Sequence, residues 1–74
     1  MKHHPGIEHL LSLFEYTHLP PHLQAVSGPF SELAHWLAEN LADGPELTVG
    51  LRKLVEAKDA CVRQAVIDAR TSDD

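Results

Sequence analysis

The chain is 74 residues long, with 43% hydrophobic residues, six lysines and arginines against eleven aspartates and glutamates, and a formal charge of −5. That length makes one small domain, 1–74, and a domain of this size buries only roughly 60% of the surface its unfolded chain exposes, so association between copies is expected to complete it. The acidic balance excludes bulk binding to duplex DNA and to anionic membranes, both of which need a dominant positive field.

Ile7, Leu10, Leu11 and Phe14 recur at i, i+3, i+4 and i+7, the stripe of a short first helix over about residues 5–15. Pro5 suits its first turn. The His3-His4 start and the Thr71-Ser72-Asp73-Asp74 tail are expected to fray, which leaves an ordered core of about 5–69. A connector through Tyr16 and Leu19 leads to Pro20 and Pro21, placed where a helix start sacrifices no intrahelical hydrogen bond. From Phe14 to Gln24 the chain therefore carries an aromatic pair and two histidines just ahead of a long helix. Two readings fit. Phe14 and Leu19 can staple the helix entry, with Tyr16, His18 and His22 shielding it. Alternatively, the aromatic faces and imidazoles suit a flat, partly anionic ligand such as a nucleotide.

Leu23, Val26, Phe30, Leu33, Leu37 and Leu41 then step by three or four, a helical seam over about residues 20–41. Ser27-Gly28-Pro29 interrupts it, because an interior proline removes a backbone donor and costs about 3 kcal/mol. The seam keeps its phase across Pro29, which favours one Pro-kinked helix over a break between two. Trp36 lies off the Leu33/Leu37 line, either as part of a subunit interface or as a flank of the core.

Gly44 and Pro45 mark the next turn, with glycine past one helix end and proline in the first turn of the following one. Leu47, Leu51, Leu54, Lys58, Cys61 and Ala65 give the last helix its line, widened by Val55, Val62 and Val66, to about residue 69. Such a helix is on the order of 36 Å long, more than the diameter of a domain this small, so its end projects. Cys61 is the only cysteine and is expected to be a buried, inert thiol on the apolar stripe. Of the six basic residues, Arg52, Lys53, Lys58, Arg63 and Arg70 all lie in the last third. Arg52 with Glu56 and Asp59 with Arg63 have i,i+4 spacing, worth only ~0.3 to 0.5 kcal/mol per pair on a solvated face.

His18 and His22 have the spacing that puts two imidazoles on one metal ion, but Pro20 and Pro21 between them spoil the helix and no third ligand stands at a recognisable distance. No metal or cofactor is expected. Nor is an enzyme: no nucleophile with a base, no diagnostic carboxylate pair and no glycine-rich phosphate loop is present. Without a signal peptide, a lipidation motif or a run of ~20 apolar residues, the chain is expected to be soluble and cytoplasmic.

Several of these residues also stand in a family's order and spacing. Phe14-x-Tyr16 is followed by His18 and Pro20, then Gln24 in the first turn of the long helix. Leu33-Ala34 through Leu37-Ala38-Glu39 follow along it, and then Pro45-x-x-Thr48-x-x-Leu51-Arg52-Lys53-Leu54-x-Glu56-Ala57. From about Leu11 to Asp68 the chain resembles the small phage-encoded sponges that sequester cyclic-oligonucleotide signals of bacterial CBASS immunity, relatives of the sponges that act against Thoeris signalling. The resemblance implies an all-α oligomer, a hexamer in the family, with the short first helix, the long kinked helix and the long last helix packed as an antiparallel hairpin or small bundle. It implies that cyclic di- or trinucleotides are held at subunit interfaces in the host cytoplasm and are not degraded.

Carried onto this chain, the resemblance makes Tyr16 the purine-stacking residue, a contact worth ~1 to 3 kcal/mol in single-strand binders. It assigns His18, Pro20, Gln24, Ser31, Thr48, Arg52 and Lys53 to ligand binding and leaves Phe14 and Trp36 for subunit contacts. The family's basic residue partway along the long helix aligns with Ser31 here. Either His18, His22 or Arg52 of a neighbouring copy supplies that charge, or the ligand differs. The alternative function is a helical module that binds a host protein and has no small-molecule ligand.

Overall fold

The computed structural model describes residues 3–71, in which no strand occurs. They form helices α1 (Pro5–Ser12), α2 (Pro21–Asn40) and α3 (Pro45–Thr71). Each opens on a proline, whose missing N–H is one of the donors a helix start leaves without an intrahelical partner. The chain is all-α, as the 3.6-residue periodicity predicts.

The ends of the helices differ from expectation in informative ways. α1 closes at Ser12, short of residue 15, because the amides of Leu13, Phe14 and Glu15 bond back three residues, to Leu10, Leu11 and Ser12, in tighter turns. The His3-His4 start, expected to fray, makes polar contacts with Asp43 and Gly6. Asp43 accepts the His4 backbone N–H at 2.7 Å and lies 3.2 Å from His3 Nδ1, while His4 Nδ1 accepts the Gly6 N–H at 3.0 Å and so caps α1. At the other end Thr71 is helical, with its hydroxyl donating to the Ile67 carbonyl at 2.7 Å. The rest of that tail, residues 72–74, lies outside the described residues. Gly44 is no left-handed cap, since no glycine among the described residues has positive φ. α2 ends instead with Leu41 extended and its N–H on the Leu37 carbonyl.

α2 runs unbroken through Pro29, so the preserved phase of its pattern was the better guide than the proline. Its buried face is another matter. Ser27, Gly28, Ser31, Ala34 and Ala38 are buried, whereas Leu33 and Leu41 of the expected seam are exposed. The face turned inward lies roughly a quarter turn round the helix from the leucine line. Small side chains at a helix contact let the axes approach closely. α2 makes its most extensive contact with α3, and α1 lies more on α3 than on α2.

The core consists of Ile7, Leu10, Phe14, Ala34, Ala38, Leu47 and Leu51, flanked by Leu11, Phe30, Leu37, Leu54 and Val55. Phe14 is fully buried, so it packs inside one chain and is not a subunit contact. Burial of a side chain the size of Phe14 or Leu51 stabilises by about 1.5–3 kcal/mol. On α3 no residue beyond Leu51 is fully buried. Cys61, expected to be buried, is exposed. The half-covered side of α3 at that level belongs to Val62, and Cys61 lies beside it.

Candidate functional site

The connector between α1 and α2 is held by three sets of interactions that fix what it presents. The Gln24 amide donates to the carbonyls of Leu19, at 2.8 Å, and Thr17, at 3.3 Å. The Leu19 N–H closes a turn on Tyr16, and the Pro20 carbonyl accepts from Leu23 and Gln24. The Tyr16 ring rests on α2 at Gly28, where a Cβ would stand 3.5 Å from Cε2 and 3.7 Å from Cζ. Glycine there leaves the helix surface bare for the ring to lie against, and Tyr16 stays half-buried. The phenol is thus a positioned, partly accessible aromatic face.

Beneath the connector, a cleft of about 340 Å³ opens between residues 12–19 and the middle of α3. Leu13, Leu19 and Val62 give it apolar wall, while His18, Glu15, Ser27, Lys58, Asp59 and Arg63 give it polar groups. Lys58 stands on the apolar line of α3 and its side chain is only 13% exposed. Its ammonium donates to the Leu13 carbonyl at 2.8 Å, satisfying the end of the α1 turn, and pairs with Asp59 at 3.0 Å. It also stands 5.9 Å from the centre of the Phe14 ring, within cation–π range. The expected Asp59–Arg63 and Arg52–Glu56 pairs do not form. Asp59 turns to Lys58, and Arg63 and Arg52 have no ion pair among the described residues.

Thr48 and Arg52 lie elsewhere, in a groove of about 390 Å³ against His9, Leu10 and Leu13 at the C-terminal end of α1. The Thr48 hydroxyl and N–H both reach the Gly44 carbonyl at 3.1 Å. Arg52 and Arg63 are on the order of 16 Å apart along α3. Within one chain, then, the connector set of Tyr16, His18, Pro20 and Gln24 does not meet the Thr48, Arg52 and Lys53 set. His18, Pro20 and Lys53 are exposed. Ser31 is 8% exposed on the inward face of α2 and lines neither the Thr48 and Arg52 groove nor the cleft beneath the connector. Trp36 is 56% exposed.

Sequence reasoning passed over Ser27, Lys58 and Arg63 as site residues. Lys58 left a signal, a cation in an otherwise apolar line. The other two left none, since Ser27 read as part of a helix break and Arg63 as half of a surface pair.

The His4 backbone N–H holds the Asp43 carboxyl below the usual carboxylate value, assisted by the His3 ring. Among the described residues there is no group of three or more His, Cys, Asp or Glu side chains able to hold a metal ion. No helix among them is long and apolar enough to cross a membrane. Comparison of the chain with protein-family models, with curated proteins and with solved structures finds no match in any of the three.

Proposed function

We propose that this protein binds cyclic di- or trinucleotides at contacts between copies of itself and sequesters them without degrading them. In the cytoplasm of a bacterial host this suppresses anti-phage signalling. The observation that carries the reading is Tyr16, an aromatic face held against Gly28 by a connector that Gln24 pins in place. Such a face stacks a base without first losing the freedom of a loop side chain. The separation of the Thr48 and Arg52 groove from Tyr16 within one chain supports assembly of the complete site from more than one copy, a hexamer by the resemblance. Titration calorimetry with a panel of cyclic di- and trinucleotides tests this. At least one is expected to bind the oligomer, to be recovered intact after denaturation, and to bind Tyr16→Ala roughly 5 to 150 times more weakly. No heat with any of them from a confirmed oligomer would sink the reading.

The exposed Trp36 supports the second reading, a module that binds a host protein through this face. A host partner captured by the wild type and by Tyr16→Ala, but lost on Trp36→Ala, would favour it.

A further inference from the structure

We infer that the cleft beneath the connector receives an anionic group of the ligand. Resting on the cyclic-nucleotide reading, that group is a phosphate, and Ser27, Lys58 and Arg63 of the same chain as Tyr16 are its donors. Ser27 carries the inference. It is fully buried and lines the cleft, yet its hydroxyl has no hydrogen-bond partner among the described residues. A helical serine commonly turns its hydroxyl back onto the carbonyl one turn earlier, and Ser27 does not. A buried polar group left without a partner is a standing cost, relieved when an acceptor enters the cleft.

Lys58 and Arg63 are matched in number by Glu15 and Asp59 in the lining, so the depth of each group sets the preferred charge. Lys58 has three N–H donors, of which the Leu13 carbonyl and Asp59 take two. Arg63 brings a guanidinium with no ion pair among the described residues, and His18 brings a ring nitrogen from the connector. Two carboxylates also line the cleft, but both stand toward solvent. Glu15 is exposed, and the Asp59 side chain is 47% exposed against 13% for Lys58. The inner wall therefore offers the Ser27 and Lys58 donors, while the rim carries Arg63 and His18 as well as Glu15 and Asp59. At about 340 Å³ the cleft lies at the low end of small-molecule pockets. It takes a phosphodiester with part of its sugar, the latter against Leu13, Leu19 and Val62. Tyr16 does not itself line the cleft, but Glu15, His18 and Leu19 of the same connector do, so one short segment carries the base site and borders the phosphate site. The positive charge that Ser31 cannot supply then comes from α3 of the same chain.

Calorimetry on the full chain, with the tightest-binding member of a cyclic di- and trinucleotide panel, separates the possibilities. Ser27→Ala is expected to raise Tm by about 2 to 4 °C, because it removes an unsatisfied hydroxyl and improves helix propensity. The same change is expected to weaken binding about fivefold or more. Arg63→Gln, at an exposed position, is expected to weaken binding about tenfold. Glu15→Gln is expected to tighten it, which a purely structural role for the cleft does not predict. Unchanged affinity in Ser27→Ala and Arg63→Gln alongside loss in Tyr16→Ala would overturn the inference and leave the sponge reading standing. A fall in Tm for Ser27→Ala would also count against it, since the hydroxyl would then be satisfied in the free protein. If the wild type binds no member of the panel, the sponge reading falls. Inorganic phosphate followed on the Arg63 side-chain N–H signal then decides the cleft alone: a saturable shift, absent in Ser27→Ala, keeps the anion site, and no shift removes it.

Discussion

Gly28 and Tyr16 make a pair whose logic is local and whose consequence is functional. A methyl group at position 28 would meet the Tyr16 ring at 3.5 Å, an ordinary van der Waals distance, so alanine fits without moving it. Because glycine in a helix interior costs roughly 0.5–1 kcal/mol relative to alanine, Gly28→Ala is expected to stabilise the fold by about that amount in urea denaturation. Gly28→Leu needs the volume the ring occupies. It is expected to displace Tyr16, seen as a change in the near-ultraviolet dichroism of the phenol, and to lose nucleotide binding with the ring. Lys58 shows where reading from sequence stops at this scale. A cation on an apolar line is visible in the sequence, but its carbonyl partner on Leu13 is 45 positions away. No local pattern reports a contact across that separation.

At the scale of elements, α1 is an eight-residue helix, too short to persist alone in water, where fewer than about 12–15 residues are marginal. It depends on burial of Ile7 and Leu10 and on the Asp43 clasp at its start. The His4 N–H and the His3 ring hold the Asp43 carboxyl below its ordinary value of 3.8. For a carboxyl depressed in this way, the stabilisation is complete above the unfolded value and is lost as pH falls through the folded one. Amide exchange at Glu8, whose N–H bonds to the His4 carbonyl, is therefore expected to speed up as pH drops from about 5 to below 3, beyond the intrinsic change for an unprotected amide. Asp43→Ala is expected to abolish this pH dependence. If the variant keeps it, the clasp is not its source. α2 carries the other lesson at this scale. Its helical period was legible in the sequence, and the inward face was not, because small and large stripes repeat with the same period.

The whole molecule measures 47 × 20 × 17 Å along its principal axes. α3, with 27 residues, accounts for about 40 Å of that length. Leu33 and Trp36 of α2 and Leu41 just past its end stand exposed, as do Val49 and Ile67 of α3. Apolar area left in water on a domain this small is area that association would remove, at about 25 cal/mol per Å². On the proposed function, Leu33→Glu combined with Trp36→Glu is expected to shift sedimentation from oligomer toward monomer while keeping the helical dichroism of α1–α3. Tyr16→Ala is expected to leave the oligomer unchanged. A wild type that sediments as a monomer at all concentrations would count against a site shared between copies.

The sequence by itself determined that the chain is helical and where the helices start, because apolar spacing and prolines act within a few residues of backbone. It also kept α2 whole across Pro29, since the pattern holds its phase there. Only the tertiary structure decided which side of α2 turns inward. Close packing against α3 selected Ser27, Ser31, Ala34 and Ala38, and the larger leucines were left toward solvent or at the margin. That same choice buried both Ser27 and Ser31 and left only Ser27 beside the cleft under the connector. With Lys58 drawn to Leu13 and Asp59, it also left Arg63 without an ion pair among the described residues, beside the connector. Each of these depends on which surfaces meet in space, a property no local spacing encodes.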